Sequence, residues 1–201
     1  MVGTHKRGFG NAPSCAECLV VRRFFVWHCY VDSAKWHIPA SGDAGTFVGL
    51  TQFRRSPTFG LPVVVGGSAQ IVLDTYNSGY SSYLGTDVIS DQSFSLEQGV
   101  IITIRAKMNA PIPGGMVGVI FLYDLKPGSN TIHDEIDWEL LTNYPNQVQT
   151  NIYGSEPLGA GHTVQVPYAS GSATDFHTYE IQWMFDRVIW VLDGVVVRTV
   201  I

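Results

Sequence analysis

From about residue 25 to the end, apolar and polar positions alternate in short runs broken by Gly, Pro, Asn, Asp and Ser. Alternation with a period of two marks a strand with one buried face, and no long helical period interrupts it. The pattern predicts strands over roughly 25–31, 46–54, 62–65, 69–75, 85–90, 99–108, 116–123, 132–141, 146–153, 163–166, 176–185, 187–192 and 195–200. Asp193-Gly194, between the last two, suits a type I′ hairpin turn. So many short strands bury their apolar faces most simply as two packed antiparallel sheets, so the expected fold class is an all-β, two-sheet β-sandwich.

One run stands apart. In His133-Asp134-Glu135-Ile136-Asp137-Trp138-Glu139-Leu140-Leu141, three carboxylates alternate with Ile136, Trp138 and Leu140. As a strand it carries acids on one face and apolar side chains on the other. Solvated faces usually mix charge signs, because like charges on neighbouring same-face positions repel, so three acids with no base among them suggest a site. At about 3.3 Å per residue, the backbones of Glu135 and Glu139 lie roughly 13 Å apart. If each side chain leans toward the other, the carboxyl groups approach the roughly 5–5.5 Å of a retaining glycosidase pair. One acid would attack a sugar and the other protonate the leaving oxygen, with Asp137 between them to hydrogen-bond the nucleophile and separate the neighbouring pKa values. A solvated acidic strand or a metal-binding face is the plainer alternative.

Other alternating faces add to this picture. Gln147, Gln149, Asn151 and Tyr153 share a face, and amides with an aromatic ring suit sugar hydroxyls and sugar faces. If this run pairs with the acidic one, its amides line the same cleft. Arg105 shares a face with Thr103 and Lys107 and could offset the acidic row; a solvated outer face explains it equally well. Tyr76, Tyr80, Tyr83 and Tyr123 are candidate stacking platforms, although core aromatics are commoner. His177, on a face with Tyr179, Ile181 and Trp183, reads as a hydrogen-bonded core histidine in preference to a catalyst.

Composition narrows the partners. The chain has 201 residues, 14% of them charged, and a net charge of −5 with no basic block, which argues against a nucleic-acid partner and for a neutral polymer. No run approaches the roughly 18 apolar residues that a membrane helix needs. Cys15, Cys18 and Cys29 all fall in the first thirty residues. The Cys15-x-x-Cys18 spacing lacks a second pair, so zinc or redox chemistry is not expected. Residues 1–24 differ in character from the rest, and their apolar stretch, Cys18 to Val21, is too short for an export signal. We expect an atypical N-terminal segment over 1–24 and one domain over 25–201.

The acidic string resembles the active-site signature of glycoside hydrolase family 16, in its regular E-x-D-x-E form. Further similarities fall in order along the chain. They are Trp36-His37-Ile38-Pro39, Gly49-Leu50-Thr51-Gln52-Phe53-Arg54, Leu73-Asp74-Thr75-Tyr76-Asn77, Gly85-Thr86-Asp87 and Gly114-Gly115 before Phe121-Leu122-Tyr123-Asp124. Gln149-Thr150-Asn151, Asp175-Phe176-His177-Thr178-Tyr179, Trp183 and Val191-Leu192-Asp193-Gly194 with Arg198 complete the set. The resemblance implies a concanavalin-like jelly roll whose concave sheet holds a β-linked polysaccharide or oligosaccharide. It implies Glu135 as nucleophile, Asp137 as its assistant and Glu139 as general acid/base. Gln149 and Asn151 match substrate-contacting positions in the xyloglucan-acting branch; Gln147, Arg105 and Tyr123 complete the expected substrate-binding set.

No cofactor is expected; a structural calcium stays open, with no ligands assigned. The resemblance also implies a secreted monomer, although no signal peptide is visible. Family members usually continue beyond the strand that carries Asp193-Gly194, so we expect C-terminal strands to be missing and the cleft to be incomplete. The leading expectation is an endo-acting retaining hydrolase of a glucan-type polymer. A transglycosylase of the same fold and a non-catalytic carbohydrate-binding sandwich are the alternatives. The regular motif tilts the substrate toward mixed-linkage glucan or xyloglucan over laminarin.

Overall fold

The computed structural model describes residues 29–38, 47–48, 51–53, 62–77, 82–85, 87–95, 97, 99–109, 114–129, 131–157 and 161–201. The atypical segment 1–24, Cys15, Cys18 and Tyr80 lie outside the described residues, as does the Tyr76 side chain. The chain divides into two compact units, Met1–Ser93 and Phe94–Ile201.

The first unit holds short strands: β1 (Cys29–Tyr30), β2 (Trp36–His37), β3 (Phe47–Val48), β4 (Thr51–Phe53), β5 (Val63–Val65), β6 (Ser68–Ala69), β7 (Asp74–Asn77), β8 (Ser82–Gly85) and β9 (Ile89–Ser90). They form sheets of order β1-β5-β6, β2-β9 and β3-β4-β8-β7. Differences from the predicted pattern appear here: β2 is an added short strand, and the run at 85–90 is divided between the end of β8 and β9. The run at 69–75 is interrupted, β6 ending at Ala69 and β7 starting at Asp74. The pair β4 and β8 is parallel, where antiparallel pairing was expected throughout.

The second unit is the sandwich that the alternation predicts. Its strands are β10 (Val100–Ala106), β11 (Val117–Leu125), β12 (His133–Leu141), β13 (Gln147–Glu156), β14 (Val164–Pro167), β15 (His177–Trp183), β16 (Val188–Leu192) and β17 (Val195–Val200). One sheet runs β11-β12-β13-β14 and the other β10-β15-β16-β17, with every neighbouring pair antiparallel. The β16–β17 turn has Asp193 at φ 50° and Gly194 at φ 81°, the two positive values that a type I′ turn requires. Among the described residues no helix is long and apolar enough to cross a membrane.

The two sheets meet through their apolar faces. Ile136, Trp138 and Leu140 of β12, with Val148 of β13 and Val166 of β14, pack against Tyr179 and Ile181 of β15 and Val188, Trp190 and Leu192 of β16. Trp138 and Trp190 are fully buried, and each indole N–H crosses to the other sheet. Trp138 Nε1 donates to the Glu180 carbonyl at 3.2 Å, and Trp190 Nε1 donates to the Asp137 carbonyl at 2.9 Å. Arg198 of β17 adds a third crossing: its Nη1 donates to Thr150 Oγ1 at 2.9 Å while its guanidinium lies over the Trp190 ring. Burial pulls the Arg198 pKa below its ordinary value. His177 is buried between the Asp193 carboxylate and the Ser172 carbonyl, a core position as expected.

β13 carries one irregularity. The register shifts between His133, opposite Glu156, and Asp134, opposite Gly154, so Ser155 is an extra residue in the ladder. Ser155 has φ 57°, and Asp134 Oδ1 accepts from both its backbone N–H and its hydroxyl.

The crossing indole bond makes a stability prediction. Trp190→Phe keeps most of the apolar volume but leaves a bonding position on the Asp137 carbonyl unfilled. It should cost about 1–3 kcal/mol, read from the urea-unfolding midpoint against the parent.

Candidate active site

Antiparallel register sets three strands' worth of side chains into rows on the outward face of the β11–β14 sheet. Glu135 lies between Tyr123 and Tyr153, Asp137 between Phe121 and Asn151, and Glu139 between Val119 and Gln149. The sequence forces this placement, because Ile136, Trp138 and Leu140 occupy the core and the intervening acids must face the other way. The face is open along β11, where Val119, Phe121 and Tyr123 are 46%, 42% and 48% exposed.

The acids are differently held. Glu139 accepts from Gln149 Nε2 at 2.6 Å and from Asn151 Nδ2 at 3.3 Å. Asn151 is fixed in turn, its Oδ1 accepting from the Ile152 N–H at 3.0 Å. Gly161, in the segment after β13, passes so close that a Cβ there would lie 2.4 Å from the Tyr153 ring and 2.7 Å from Asn151 Oδ1. Glu135 Oε2 lies 3.0 Å from His133 Nε2, and Glu135 also shares a hydrogen bond with Asp137.

Asp137 is only 2% exposed, and its Oδ1 is buried without a hydrogen-bond partner. Burial, then the negative charges of Glu135 and Glu139, pushes its pKa up to about 9. Asp137 therefore holds a proton at neutral pH and can donate it to Glu135. Burial also raises the pKa of Glu135, while the charge and hydrogen bond of His133 pull it back. The arrangement is one protonated carboxyl between two others, with amide donors on the Glu139 side and an imidazole on the Glu135 side. Among the described residues, no group of three or more His, Cys, Asp or Glu side chains could hold a metal ion.

Of the residues expected at the site, Glu135, Asp137, Glu139, Gln149, Asn151 and Tyr123 come together on this face. Gln147 lies one row further along β13, opposite Pro167, with its amide donating to Gln165. Arg105 does not join them. It sits on β10 in the other sheet, where Ile102, Ile104 and Ala106 alternate with it and pair with the inward-facing Ile181, Tyr179 and His177 of β15. Its guanidinium lies outside, 4.1 Å from the centroid of the Phe176 ring, so the correction is one of sheet as well as face. His133, outside the expected site set, joins the acidic face as well; the signal for it is its place two residues before Glu135, at the same period.

Residues 65–201 match the family model described as Glycosyl hydrolases family 16, and the chain belongs to that family. It is 46% identical over 67 residues to Crh-like protein 5 of Aspergillus fumigatus, covering 33% of this chain and 17% of that protein. It is 33% identical over 91 residues to the probable xyloglucan endotransglucosylase/hydrolase protein 6 of Arabidopsis thaliana, covering 43% of this chain and 30% of that one. The chain thus spans less than a third of the length of these relatives. In fold it is similar to a prokaryotic β-1,3-1,4-glucanase (lichenase) derived from a mouse hindgut metagenome, with a TM-score of 0.63 and 26% identity over 85% of this chain and 74% of that one. The fold is accordingly the jelly-roll sandwich that the resemblance implied.

The raised Asp137 pKa has a signed consequence for stability. Between its unfolded value near 3.8 and its folded value of about 9, the folded state holds a proton that the unfolded chain has lost. The contribution is therefore present below the unfolded pKa and is lost as pH rises through the folded one. Asp137→Asn, which mimics the protonated carboxyl, should gain stability relative to the parent progressively from pH 4 to pH 9, as read from urea midpoints across that range.

Proposed function

We propose that this chain cleaves β-glycosidic bonds in a glucan-type polysaccharide by a retaining, endo-acting mechanism. The observation that carries the reading is the row of three carboxyls, Glu135, Asp137 and Glu139, on one open sheet face with Gln149 and Asn151 beside the last. Glu135 attacks the anomeric carbon, and Glu139 delivers its proton to the leaving oxygen. A covalent glycosyl-enzyme results. Asp137 donates to Glu135 and so stabilises that carboxylate when it is expelled in the second step. Glu139, positioned by Gln149 and Asn151, then takes the proton from the incoming hydroxyl.

Tyr123, Gln147, Gln149 and Asn151 supply the sugar contacts in this reading, through ring stacking and amide hydrogen bonds. Secretion is part of the proposal, since such polymers lie outside the cell. A second acceptor is supported by a specific likeness. The similarity to a probable xyloglucan endotransglucosylase/hydrolase favours transfer to a sugar hydroxyl as an alternative to water.

Reducing-end release from barley β-glucan, laminarin, xyloglucan and agarose tests the reading. The parent should cleave at least one polymer, Glu135→Gln should be silent while remaining folded, and Glu139→Gln should lose about 10²–10⁴-fold. Turnover by folded Glu135→Gln would sink the assignment. Added oligosaccharide acceptor should lengthen the products if transfer competes with hydrolysis.

A further inference from the structure

His133 is an ionisable member of the acidic face with no task in the mechanism above. Its side chain is fully buried, and both ring nitrogens are engaged. Nδ1 lies 2.9 Å from the Thr131 carbonyl oxygen, and Nε2 lies 3.0 Å from Glu135 Oε2. A carbonyl oxygen only accepts, so Nδ1 carries a hydrogen. One further proton must lie between Nε2 and Glu135, because two bare acceptors at that distance repel. Where it resides decides whether Glu135 is a carboxylate.

Two features place it on the histidine. The imidazole is flanked by two tyrosine rings, Tyr123 stacked at 5.1 Å and Tyr153 tilted at 4.5 Å between centroids. Aromatic faces are electronegative and favour a cation held within about 6 Å. In addition, Asp137 shares a hydrogen bond with Glu135 from its other side, so an ionised Glu135 would accept from two donors. Among the described residues, Glu156 is the register partner of His133 on β13, and its carboxylate bonds His162. Asp134 and Lys126 pair with each other at the neighbouring position of β12.

We propose that His133 is the positioning residue of the nucleophile, a buried imidazolium that donates from Nε2 to Glu135 Oε2. It keeps that carboxylate ionised and leaves Oε1 to meet the sugar. This deepens the glycosidase reading and rests on its assignment of Glu135. In the first step the Oε1–C1 bond forms, the bond from C1 to the leaving oxygen breaks, and the Glu139 proton goes to that oxygen. His133 keeps both protons, and Oε2 becomes the ester carbonyl oxygen. In the second step the acceptor oxygen bonds C1 and passes its proton to Glu139. The electron pair of the C1–Oε1 bond returns to Glu135 as a carboxylate, which the imidazolium stabilises. His133 therefore assists the second step, in which Glu135 leaves, more than the first.

The test has an arm independent of activity. With ¹⁵N-labelled histidine in the full chain, both His133 ring nitrogens should resonate as protonated at pH 7. In Glu135→Gln, Nε2 should move to the unprotonated range while Nδ1 does not. An unprotonated Nε2 in the parent at pH 7, or no change in Glu135→Gln, overturns the proposal. In the kinetic arm, His133→Phe keeps a ring between the tyrosines and should lower kcat on the order of 10²-fold. It should also accumulate glycosyl-enzyme on 2,4-dinitrophenyl β-cellobioside, read by intact mass, and His133→Gln, which retains one donor, should recover part of the rate. An unchanged kcat in folded His133→Phe refutes the role. If the parent cleaves no substrate, the glycosidase reading fails while the nitrogen resonances still decide where the proton lies.

Discussion

Everything on the acidic face depends on which way β12 is turned. A strand has a side-chain period of two, so a slip of one residue would send Glu135, Asp137 and Glu139 into the core and Trp138 into solvent. Apolar burial resists that slip, and the crossing indole bonds resist it more specifically. Trp138 reaches the Glu180 carbonyl in the opposite sheet, and Trp190 returns from that sheet to the Asp137 carbonyl. The second of these bonds ends on the backbone of the central acid itself. A buried group left without its partner costs about 1–3 kcal/mol, so the register is held by polar as well as apolar interactions.

With the backbone so held, the face can carry a charge arrangement that would otherwise be unfavourable. Three carboxylates in adjacent rows repel, and burial of Asp137 increases the cost of ionising it. The site relieves this by retaining a proton on Asp137, which places a neutral donor between Glu135 and Glu139. Gln149 and Asn151 then satisfy Glu139 from β13. The amides and the acids lie on paired strands, and the same ladder that builds the sheet also delivers the donors.

The period-two pattern was enough to read the sandwich of the second unit, because its central strands β12, β13 and β15 are long and turn alternate side chains into one core. It was also enough to place the acids, since Ile136, Trp138 and Leu140 leave them only one side. Pairing of β12 with β13 brings Gln149 and Asn151 to the acids as the shared face suggested. Arg105 illustrates where the pattern runs out. Alternation says that Arg105 is opposite in face to Ile104, but it does not say which sheet β10 joins, and charge complementarity pointed to the wrong one. The parallel β4–β8 pair was hidden for a similar reason, since pairing direction between distant short runs leaves no local trace.

The environment of His133 shows what an irregularity adds to a regular ladder. In an unbroken ladder Ser155 would stand opposite His133, two residues from the Tyr153 that faces Glu135. The extra residue shifts the partner of His133 to Glu156 while Glu135 stays opposite Tyr153. A bulge increases local twist and re-aims the side chains beside it, and the Tyr153 ring comes to lie 4.5 Å from the His133 ring. Asp134, on the face opposite the acids, secures the bulge by binding the Ser155 backbone and hydroxyl. The acid in the motif that does not share the site thus fixes the backbone around which the neighbouring histidine is enclosed.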